Sequence, residues 1–389
     1  MSKQSRSKAS KYKSSNSKSA RANAARSKTS RPQPKNNKRR PPQQRGHARA
    51  TSSTAWTLEA EILPGLADFA LQETKNLGIS AIQTSDTQLK FETQVATLVK
   101  LMPKLRTITA IYRMLEFSIS RPKALLGNAE FNVLTDAITD IRRQAEFTTF
   151  RIDAAGKDST VFQRLIHQLE TALKLPHSDA DGDLLLRVRP SKSRDGWQVL
   201  IRTTPRPLSA RDWRVCNMAG GLNACVAAVM LELASIKHHH RVLNAMCGSG
   251  TLLIEQALKH HPRELWGVDI NAEAITCTQQ NIAAARIKGV RLEQADATNL
   301  SCEDACVDVA VSDLPWGDAI GSITANRHLY PAFLAEMDRV ITRRGKLVIL
   351  THDVKRTEKE LAASAWRVAS VNKVFHGGHY PRIYVLRRN

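Results

Sequence analysis

Residues 242–251 read Val-Leu-Asn-Ala-Met-Cys-Gly-Ser-Gly-Thr, a short apolar strand that runs into a glycine-rich turn. A helix with apolar spacing follows directly, from Leu252 to Lys259. Glycine permits backbone conformations and close approaches to a ligand that any Cβ would prevent. Such glycines also occur in strand-to-helix turns that bind nothing. The stretch therefore predicts an α/β domain, with a ligand site at this turn as one of two interpretations.

The chain around this stretch alternates between apolar strands and helices. Beyond Leu222 we predict helices over 225–235, 252–259, 272–285 and 328–341, strands at 242–243, 265–269, 307–313 and 346–350, one strand ending at Asp296, and a closing antiparallel pair near 367–375 and 382–386. This alternation indicates a parallel sheet covered on both faces. Because ligands bind at the carboxyl ends of such strands, Asp269, Asp296 and Asp313 should converge with the turn.

The turn and the first strand-end carboxylate suggest a nucleotide-like cofactor. Asp269 lies 19 residues beyond Gly250, a spacing typical of a carboxylate that accepts hydrogen bonds from ribose hydroxyls. However, residues 248–250 lack the third glycine of the dinucleotide fingerprint and the Gly-Lys-Ser/Thr ending of a phosphate-binding loop. Nicotinamide and ATP are therefore both disfavoured.

A second motif, Asp313-Leu314-Pro315-Trp316, ends the strand predicted over 307–313. Asp313 and the Leu314 carbonyl could each accept one N–H of an exocyclic amine on a planar base, while Trp316 stacks on the ring. That grip suits methyl transfer to an aromatic amine, because it orients the nitrogen lone pair toward a methyl donor. The same residues could instead end a strand with a buried tryptophan, and the motif alone does not separate the two.

The region before the α/β part is a mixture of strands and helices. We predict strands over 56–62, 88–92, 113–119, 147–154, 184–190 and 197–203, and helices over 66–77, 95–101, 131–144 and 160–173. The first part of this pattern suggests a small α+β domain of split βαβ type. We find no candidate catalytic group in it.

The positive charge of the chain is concentrated at its beginning. Residues 1–50 hold 16 Lys and Arg and no Asp or Glu, whereas the other 339 residues hold 42 basic and 36 acidic ones. This segment has too few apolar residues to offset chain entropy, so we expect a disordered basic arm. Such an arm favours a polyanionic partner through counterion release, although it could also be a solvated tail or, with less support, a transit peptide.

Cysteine and histidine positions suggest neither a disulfide framework nor a metal site. The six cysteines lack paired spacings. The histidines at 238–240 and 260–261 have no cysteine or carboxylate partner at metal-ligand spacing. No apolar run is long enough to span a membrane and no signal peptide is evident. We therefore expect a metal-free protein in a reducing compartment, the cytoplasm, with no membrane partner.

These motifs resemble a known family, the RNA guanine-N2 methyltransferases that carry a THUMP domain before a Rossmann-like, S-adenosylmethionine-dependent catalytic domain. Residues 242–255 are similar to the family's cofactor-binding turn, and Asp313-Leu314-Pro315-Trp316-Gly317 to its Asp/Asn-x-Pro-aromatic-Gly motif. Residues 203–214 resemble the segment that joins the two domains, and residues 147–154 the first THUMP strand. The resemblance covers roughly residues 147–389 and is thinner in the THUMP part.

The resemblance implies a division of the chain and a set of site residues. After the arm (1–54), it implies a ferredoxin-like α+β domain (55–145), a THUMP-like RNA-binding domain (146–208) and a Rossmann-like methyltransferase domain (209–389). The implied catalytic residues are Asp313, Leu314, Pro315 and Trp316. The implied residues for S-adenosylmethionine are Asn244, Met246, Cys247, Gly248, Ser249, Gly250, Thr251, Asp269, Ile270, Asp296 and Ala297, with Asp269 on the ribose and Asp296 near the adenine.

The chain departs from the family pattern at two points. Asn244-Ala245 stands where most relatives have Asp-Pro, so an amide replaces the carboxylate near the methionine moiety. Residues 219–223 are looser than the family's Pro-Leu start of the following helix. We predict methylation of a guanine N2 amine in tRNA or rRNA, with the basic arm and the THUMP-like region on the RNA. The alternatives are an amine methyltransferase for DNA adenine or protein glutamine, and an inactive RNA-binding factor.

Overall fold

The computed structural model of the protein describes residues 55–192, 195–316 and 323–388, without the side chains of 323–325. The arm predicted over residues 1–54 and the Gly317 of the second motif lie outside the described residues. Within the described part, no helix is long and apolar enough to cross a membrane.

The N-terminal half of the described chain is built on one seven-stranded sheet. Its elements are β1 (Ala55–Glu61), α1 (Ala67–Asn76), β2 (Ile82–Ser85), β3 (Gln88–Gln94), α2 (Val95–Leu101), β4 (Ala110–Phe117), α3 (Asn128–Arg142), β5 (Phe150–Ala154), α4 (Thr160–Leu173), β6 (Leu184–Pro190) and β7 (Trp197–Arg202). The strand order is β2-β3-β1-β4-β7-β6-β5, antiparallel except for the pair β5 and β6.

This sheet continues across the domain boundary expected at residues 145 and 146. Strand β4 pairs with β7 over six residues, from Tyr112 opposite Arg202 to Phe117 opposite Trp197. Buried side chains from Trp56 to Ile201 form one hydrophobic cluster beneath it. The two segments therefore share one sheet and one core, and their division into a ferredoxin-like and a THUMP-like domain stays a prediction.

The C-terminal half has the α/β architecture that the sequence predicts. Its elements are α5 (Ala224–Ala234), β8 (Arg241–Ala245), α6 (Thr251–Lys259), β9 (Glu264–Asp269), α7 (Ala272–Ala284), β10 (Val290–Gln294), β11 (Val307–Asp313), α8 (Ile323–Val340), β12 (Ile341–Thr351), α9 (Val354–Ala362), β13 (Trp366–Lys373) and β14 (Arg382–Arg388). The strand order is β10-β9-β8-β11-β12-β14-β13. Strands β8 to β12 are parallel, and β14 joins the sheet antiparallel to β12 and β13.

Helices cover both faces of this second sheet. Along β8, Val242 packs into the cluster that contains α5 and α6, whereas the next residue, Leu243, packs into the cluster that contains α8. Because side chains alternate across a strand, an unbroken apolar run is needed to fill two such faces. The predicted fold class is confirmed.

Several predicted boundaries differ from the structure. Strand β10 ends at Gln294, two residues before Asp296, and α8 begins at Ile323 rather than at His328. Strand β2 was not predicted. Its residues Ile82–Ser85 include three exposed side chains, so no burial pattern marks them. Predictions of this kind depend on apolar periodicity, which is weakest at element ends and edge strands.

A buried ion-pair cluster lies between the two sheets. Glu255 on α6 is fully buried. Its Oε2 accepts from the Nε of Arg106 at 2.8 Å, and its Oε1 accepts from the Nε of Arg211 at 2.9 Å. The second nitrogen of Arg211 also donates to the Arg106 carbonyl at 2.7 Å. Two guanidinium groups thus neutralise one buried carboxylate, and the link between the halves includes charged contacts.

The expectation that the cysteines form no disulfide is wrong for one pair. Cys216 and Cys277 are bonded across 61 residues of sequence, with their Cα atoms 5.4 Å apart. Helix α7 packs against the segment around Cys216, because buried Asn281 accepts from the Cys216 backbone N–H at 2.9 Å. Spacing could not reveal a pair that only the tertiary fold brings together. The cellular compartment stays a prediction.

Candidate active site

A cavity of about 470 Å³ opens at the carboxyl ends of β8, β9 and β11. This is the size range of small-molecule sites. Twelve of the fifteen sequence-predicted residues line it: Asn244, Met246, Cys247, Gly248, Ser249, Thr251, Asp269, Ile270, Asp296, Ala297, Asp313 and Pro315. The other three, Gly250, Leu314 and Trp316, are not part of its lining. The structure therefore brings the two motifs together around one space.

The glycine-rich turn is held in an unusual backbone conformation. Met246, Gly248 and Gly250 all have positive φ, at 54°, 55° and 81°. The Gly248 N–H donates to Asp269 Oδ2 at 2.8 Å, and the Gly248 carbonyl accepts from Thr278 Oγ1 at 2.7 Å. Strand β9 and helix α7 thus fix the turn from both sides.

The two glycines of this turn have different surroundings. A Cβ on Gly248 would meet no atom within 4 Å, whereas a Cβ on Gly250 would lie 2.8 Å from the Thr278 side chain. Gly248 therefore leaves space beside the cavity, and Gly250 allows α7 to pack closely. Gly250 thus has a packing role, and its predicted contact with the cofactor stays a prediction.

Asp269 and Asp296 are both oriented by neighbouring backbone groups. The second oxygen of Asp269, Oδ1, accepts from the Asn271 N–H at 3.0 Å. Asp296 Oδ1 accepts from both the backbone N–H and the hydroxyl of Thr298, at 2.8 and 2.7 Å. Each carboxylate is fixed by these bonds, and each oxygen of Asp269 has a lone pair left for a hydroxyl donor.

Asn244 is buried at the end of β8, and its amide fits this position. Its Nδ2 donates to the Val311 carbonyl at 3.1 Å, which a carboxylate could not do. Its Oδ1 is buried and has no hydrogen-bond partner among the described residues. The amide therefore ties β8 to β11 and offers a free acceptor at the cavity.

Asp313 ends β11 at the other side of the cavity. Its Oδ1 is buried and accepts no hydrogen bond from any residue that the structure describes. Burial raises the pKa of Asp313 to about 7, while the side chain of Trp316 acts in the opposite direction by hydrogen bonding to the carboxylate. A buried acceptor without a partner is costly, so it indicates a position prepared for a donor.

The turn after Asp313 is braced by residues that the sequence analysis did not identify as functional. The Leu314 N–H donates to the Leu350 carbonyl at 3.0 Å. The Pro315 carbonyl accepts from Asn326 Nδ2 at 2.9 Å and from the Tyr330 hydroxyl at 3.1 Å. Tyr330 is buried. Its hydroxyl contact depends on the approach of α8, for which the sequence contains no local signal.

Trp316 lies beside the cavity and is surrounded by imidazole rings. Its ring centroid is 5.6 Å from that of His352, 5.3 Å from that of His376 and 6.3 Å from that of His379. The stacking of Trp316 on a substrate base stays a prediction.

The remaining cavity wall comes from two segments that were not assigned to the site. Residues 218–222 form one side, and His328, Leu329 and Ala332 of α8 form another. The first segment is held by Arg214, which donates to the Leu222 carbonyl and to Thr251 Oγ1, both at 2.8 Å. In the sequence, this segment is marked only by its departure from the family pattern at residues 219–223.

The polar groups of the cavity fit the three parts of S-adenosylmethionine. Asn244 Oδ1 is a free acceptor for an ammonium group. Asp269 has lone pairs that could accept from two ribose hydroxyls, and Asp296 lines the same cavity as the apolar pair Ile270 and Ala297, which suits an adenine. The residues present therefore fit this cofactor.

Comparisons with known proteins agree with this assignment. Residues 211–382 match the family model described as RMKL-like, methyltransferase domain. The mouse (Mus musculus) protein named tRNA (guanine(6)-N(2))-methyltransferase THUMP3 is 34% identical over 183 residues, which cover 43% of this chain and 36% of that protein. The chain thus matches little more than a third of the length of this curated relative.

Two solved structures share the fold over most of the described chain. TrmN from Thermus thermophilus superposes with a TM-score of 0.67 and 23% identity, covering 86% of this chain and 100% of that one. SMU.472, solved as a complex with SAH, gives a TM-score of 0.63 and 16% identity, covering 86% and 98%. Residues 211–382 therefore match a methyltransferase domain, and the curated relative that the chain resembles is named as a tRNA guanine-N2 methyltransferase.

Proposed function

We propose that the protein transfers a methyl group from S-adenosylmethionine to the exocyclic N2 amine of a guanine in structured RNA. The observation that carries this proposal is the buried Oδ1 of Asp313, an acceptor without a partner among the described residues at the edge of the cofactor-sized cavity. An exocyclic amine is a donor of the kind that this oxygen lacks.

Asp313 orients the amine and removes its proton. As a carboxylate, it would accept one N–H of the amine, and the Leu314 carbonyl is the acceptor that we propose for the other. When bound, the cofactor would supply a methyl group on a positively charged sulfonium sulfur, which is a good leaving group for direct displacement by the amine. Methyl transfer leaves the amine nitrogen positively charged, so it has to lose a proton. Asp313, whose pKa is about 7, is suited to accept that proton.

The hydrogen bonds around the motif keep this geometry fixed. Asn326 and Tyr330 hold the Pro315 carbonyl, and the Ser312 hydroxyl donates to the Ala245 carbonyl at 2.8 Å. The carboxylate therefore does not need to reorganise during the reaction, which is how prepositioned polar groups lower a barrier.

RNA as the substrate class is supported by the relatives, since the mouse protein is named as a tRNA methyltransferase. A guanine amine in a folded RNA lies on a paired or stacked base edge, so the base has to be extruded into the site. We further propose that the basic arm and the N-terminal half bind the RNA backbone. DNA adenine and protein glutamine are less favoured because the named relatives act on RNA guanine.

An inactive RNA-binding factor is the second candidate, and the Asn244-Ala245 sequence is the feature that favours it. The structure weakens this candidate, because Asn244 bonds to Val311 and still presents an acceptor at the cavity. The loss of a carboxylate is therefore consistent with cofactor binding.

Mass spectrometry of nucleosides from tRNA and rRNA of a strain that lacks the protein tests the proposal. We expect one N2-methylated guanosine to decrease, and to return when the wild-type protein is supplied. Loss of a methylated adenosine, or loss of no methylated nucleoside at all, would reject guanine-N2 methylation.

A further inference from the structure

The connection between β13 and β14 packs directly on Trp316. The backbones of His376 and His379 hydrogen bond in both directions at 3.0 Å, which closes a two-residue turn of Gly377 and Gly378. Both glycines have positive φ, at 59° and 83°, as the tightest hairpin turns require. A Cβ on Gly377 would lie 3.5 Å from the Trp316 ring. The turn therefore reaches the catalytic motif from the edge of the sheet.

The two histidines of this turn face different environments. His376 is buried, and burial together with the nearby Arg214 lowers its pKa to about 4. It is thus a neutral packing group against the edge of the Trp316 ring. His379 is exposed, and its ring centroid lies 4.5 Å from that of His352. Since His352 follows the last residue of β12, two imidazoles from different elements meet beside Trp316.

The tyrosine that follows His379 is also exposed, whereas His352 is half-buried. Tyr380 follows His379 and is 50% exposed, and the ammonium of Lys373 lies 4.8 Å from the centre of its ring. Exposed rings next to cations are the means by which proteins bind unpaired nucleotides, because bases stack on the rings and phosphates are attracted to the charge. Nothing in this arrangement suggests a metal site, since no group of three metal-ligating side chains exists among the described residues.

We propose that His352, His379 and Tyr380 form a stacking platform for the RNA nucleotides that flank the target guanine. The proposal rests on the proposed function for its substrate class. Extrusion of a base leaves its neighbours without a stacking partner. The His379 ring contacts Trp316, and Trp316 in turn hydrogen bonds to Asp313. The platform therefore lies close to the position that the nucleotides flanking the extruded guanine would occupy.

The test compares RNA binding with cofactor binding in the double variant His352→Ala/His379→Ala. The RNA is end-labelled total tRNA from a strain that lacks the protein, and affinity is measured by filter binding with S-adenosylhomocysteine present. We expect the Kd for RNA to rise at least about tenfold, since two stacking surfaces are lost. The Kd for S-adenosylmethionine, measured by calorimetry, should not change. His352→Phe/His379→Phe should recover most of the RNA affinity.

The chain offers a matched control in His238 and His239. These two exposed histidines also contact each other, with ring centroids 5.3 Å apart. They precede β8 and therefore lie at the amino ends of the parallel strands, opposite the cavity. The variant His238→Ala/His239→Ala should retain wild-type RNA affinity.

Two results would overturn the platform, namely unchanged RNA affinity in the His352/His379 variant and an equal loss in the control pair. If the affinity is unchanged but the rate at saturating RNA falls, the rings position Trp316 rather than bind RNA. If the wild-type protein methylates no RNA but the affinities follow the expected pattern, the platform stands and the proposed activity fails.

Discussion

Asp269, Asp296 and Asp313 differ in what their oxygens contact, although all three lie at or just beyond the strand ends of one sheet. Asp269 and Asp296 accept hydrogen bonds from nearby backbone N–H groups, which orient each carboxylate. Asp313 has a buried oxygen without a partner among the described residues, and its pKa is raised to about 7. The first two are built as fixed acceptors for binding, and the third is built to exchange a proton.

Replacement of Asp269 tests the cofactor assignment at this scale. Asp269→Ala should weaken S-adenosylmethionine binding by about 1.5 to 3 kcal/mol, because the ribose hydroxyls lose hydrogen bonds to a charged acceptor. Calorimetry measures the effect. Asp269→Asn, which keeps one oxygen, should lose less. A folded Asp269→Ala protein with unchanged affinity would remove the ribose assignment.

The raised pKa of Asp313 predicts the pH dependence of methyl transfer. Only the carboxylate accepts the amine hydrogen, so the rate at saturating substrates should rise with pH, with a midpoint near 7, and then level off. Asp313→Asn should be slow and lack this rise. Single-turnover rates from pH 5.5 to 9 provide the measurement, and an Asp313→Asn protein with the same rise would assign the titration to another group.

At the scale of elements, the turn after β8 has two glycines with separate tasks. Gly248 leaves space beside the cavity, and Gly250 lets Thr278 on α7 pack against the turn. Both have positive φ, so alanine at either position costs about 1 to 2 kcal/mol from the backbone alone. The further cost of each alanine in folding free energy should differ, because only a Cβ at position 250 would overlap another side chain.

A pair of alanine variants separates these tasks. Gly250→Ala should lower the free energy of unfolding by a further 1 to 3 kcal/mol or so relative to Gly248→Ala, because its Cβ overlaps the Thr278 side chain. Gly248→Ala should instead lose more cofactor affinity. Urea denaturation and calorimetry check the two effects. Equal losses of stability would show that packing on Thr278 is not what requires glycine at 250.

The sequence predicted element bounds well where strands are continuous apolar runs and helices have regular apolar spacing. Strand β11 and helix α4 have the predicted bounds, and twelve of the fifteen predicted site residues line the cavity. Contacts made at long range could not be predicted. The bonds of Tyr330 to Pro315 and of Cys216 to Cys277 depend on how elements pack, and no residue spacing encodes them.

At the scale of the whole molecule, the catalytic half and the N-terminal half meet at the buried pairing of Glu255 with Arg106 and Arg211. A buried carboxylate that loses its partners is strongly destabilising, so separation of the two halves at this junction is costly.

Deletion of residues 1–50 tests the role proposed for the basic arm. Loss of 16 positive charges should weaken RNA binding and flatten the slope of log affinity against log salt, because fewer counterions are released. Binding of S-adenosylmethionine should not change. Filter binding between 50 and 300 mM salt, roughly the range over which such slopes are measured, gives the result. An unchanged slope would show that the arm does not contact phosphates.

The most direct test of the account is the single-turnover rate of methyl transfer by Asp313→Ala. The assay follows tritiated methyl groups from S-adenosylmethionine to RNA from a strain that lacks the protein. We predict a fall on the order of 100-fold or more, with near-normal affinity for cofactor and RNA, because Asp313 acts on the amine during transfer. An Asp313→Ala protein that methylates the RNA at the wild-type rate would contradict the assignment of the active site to the end of β11.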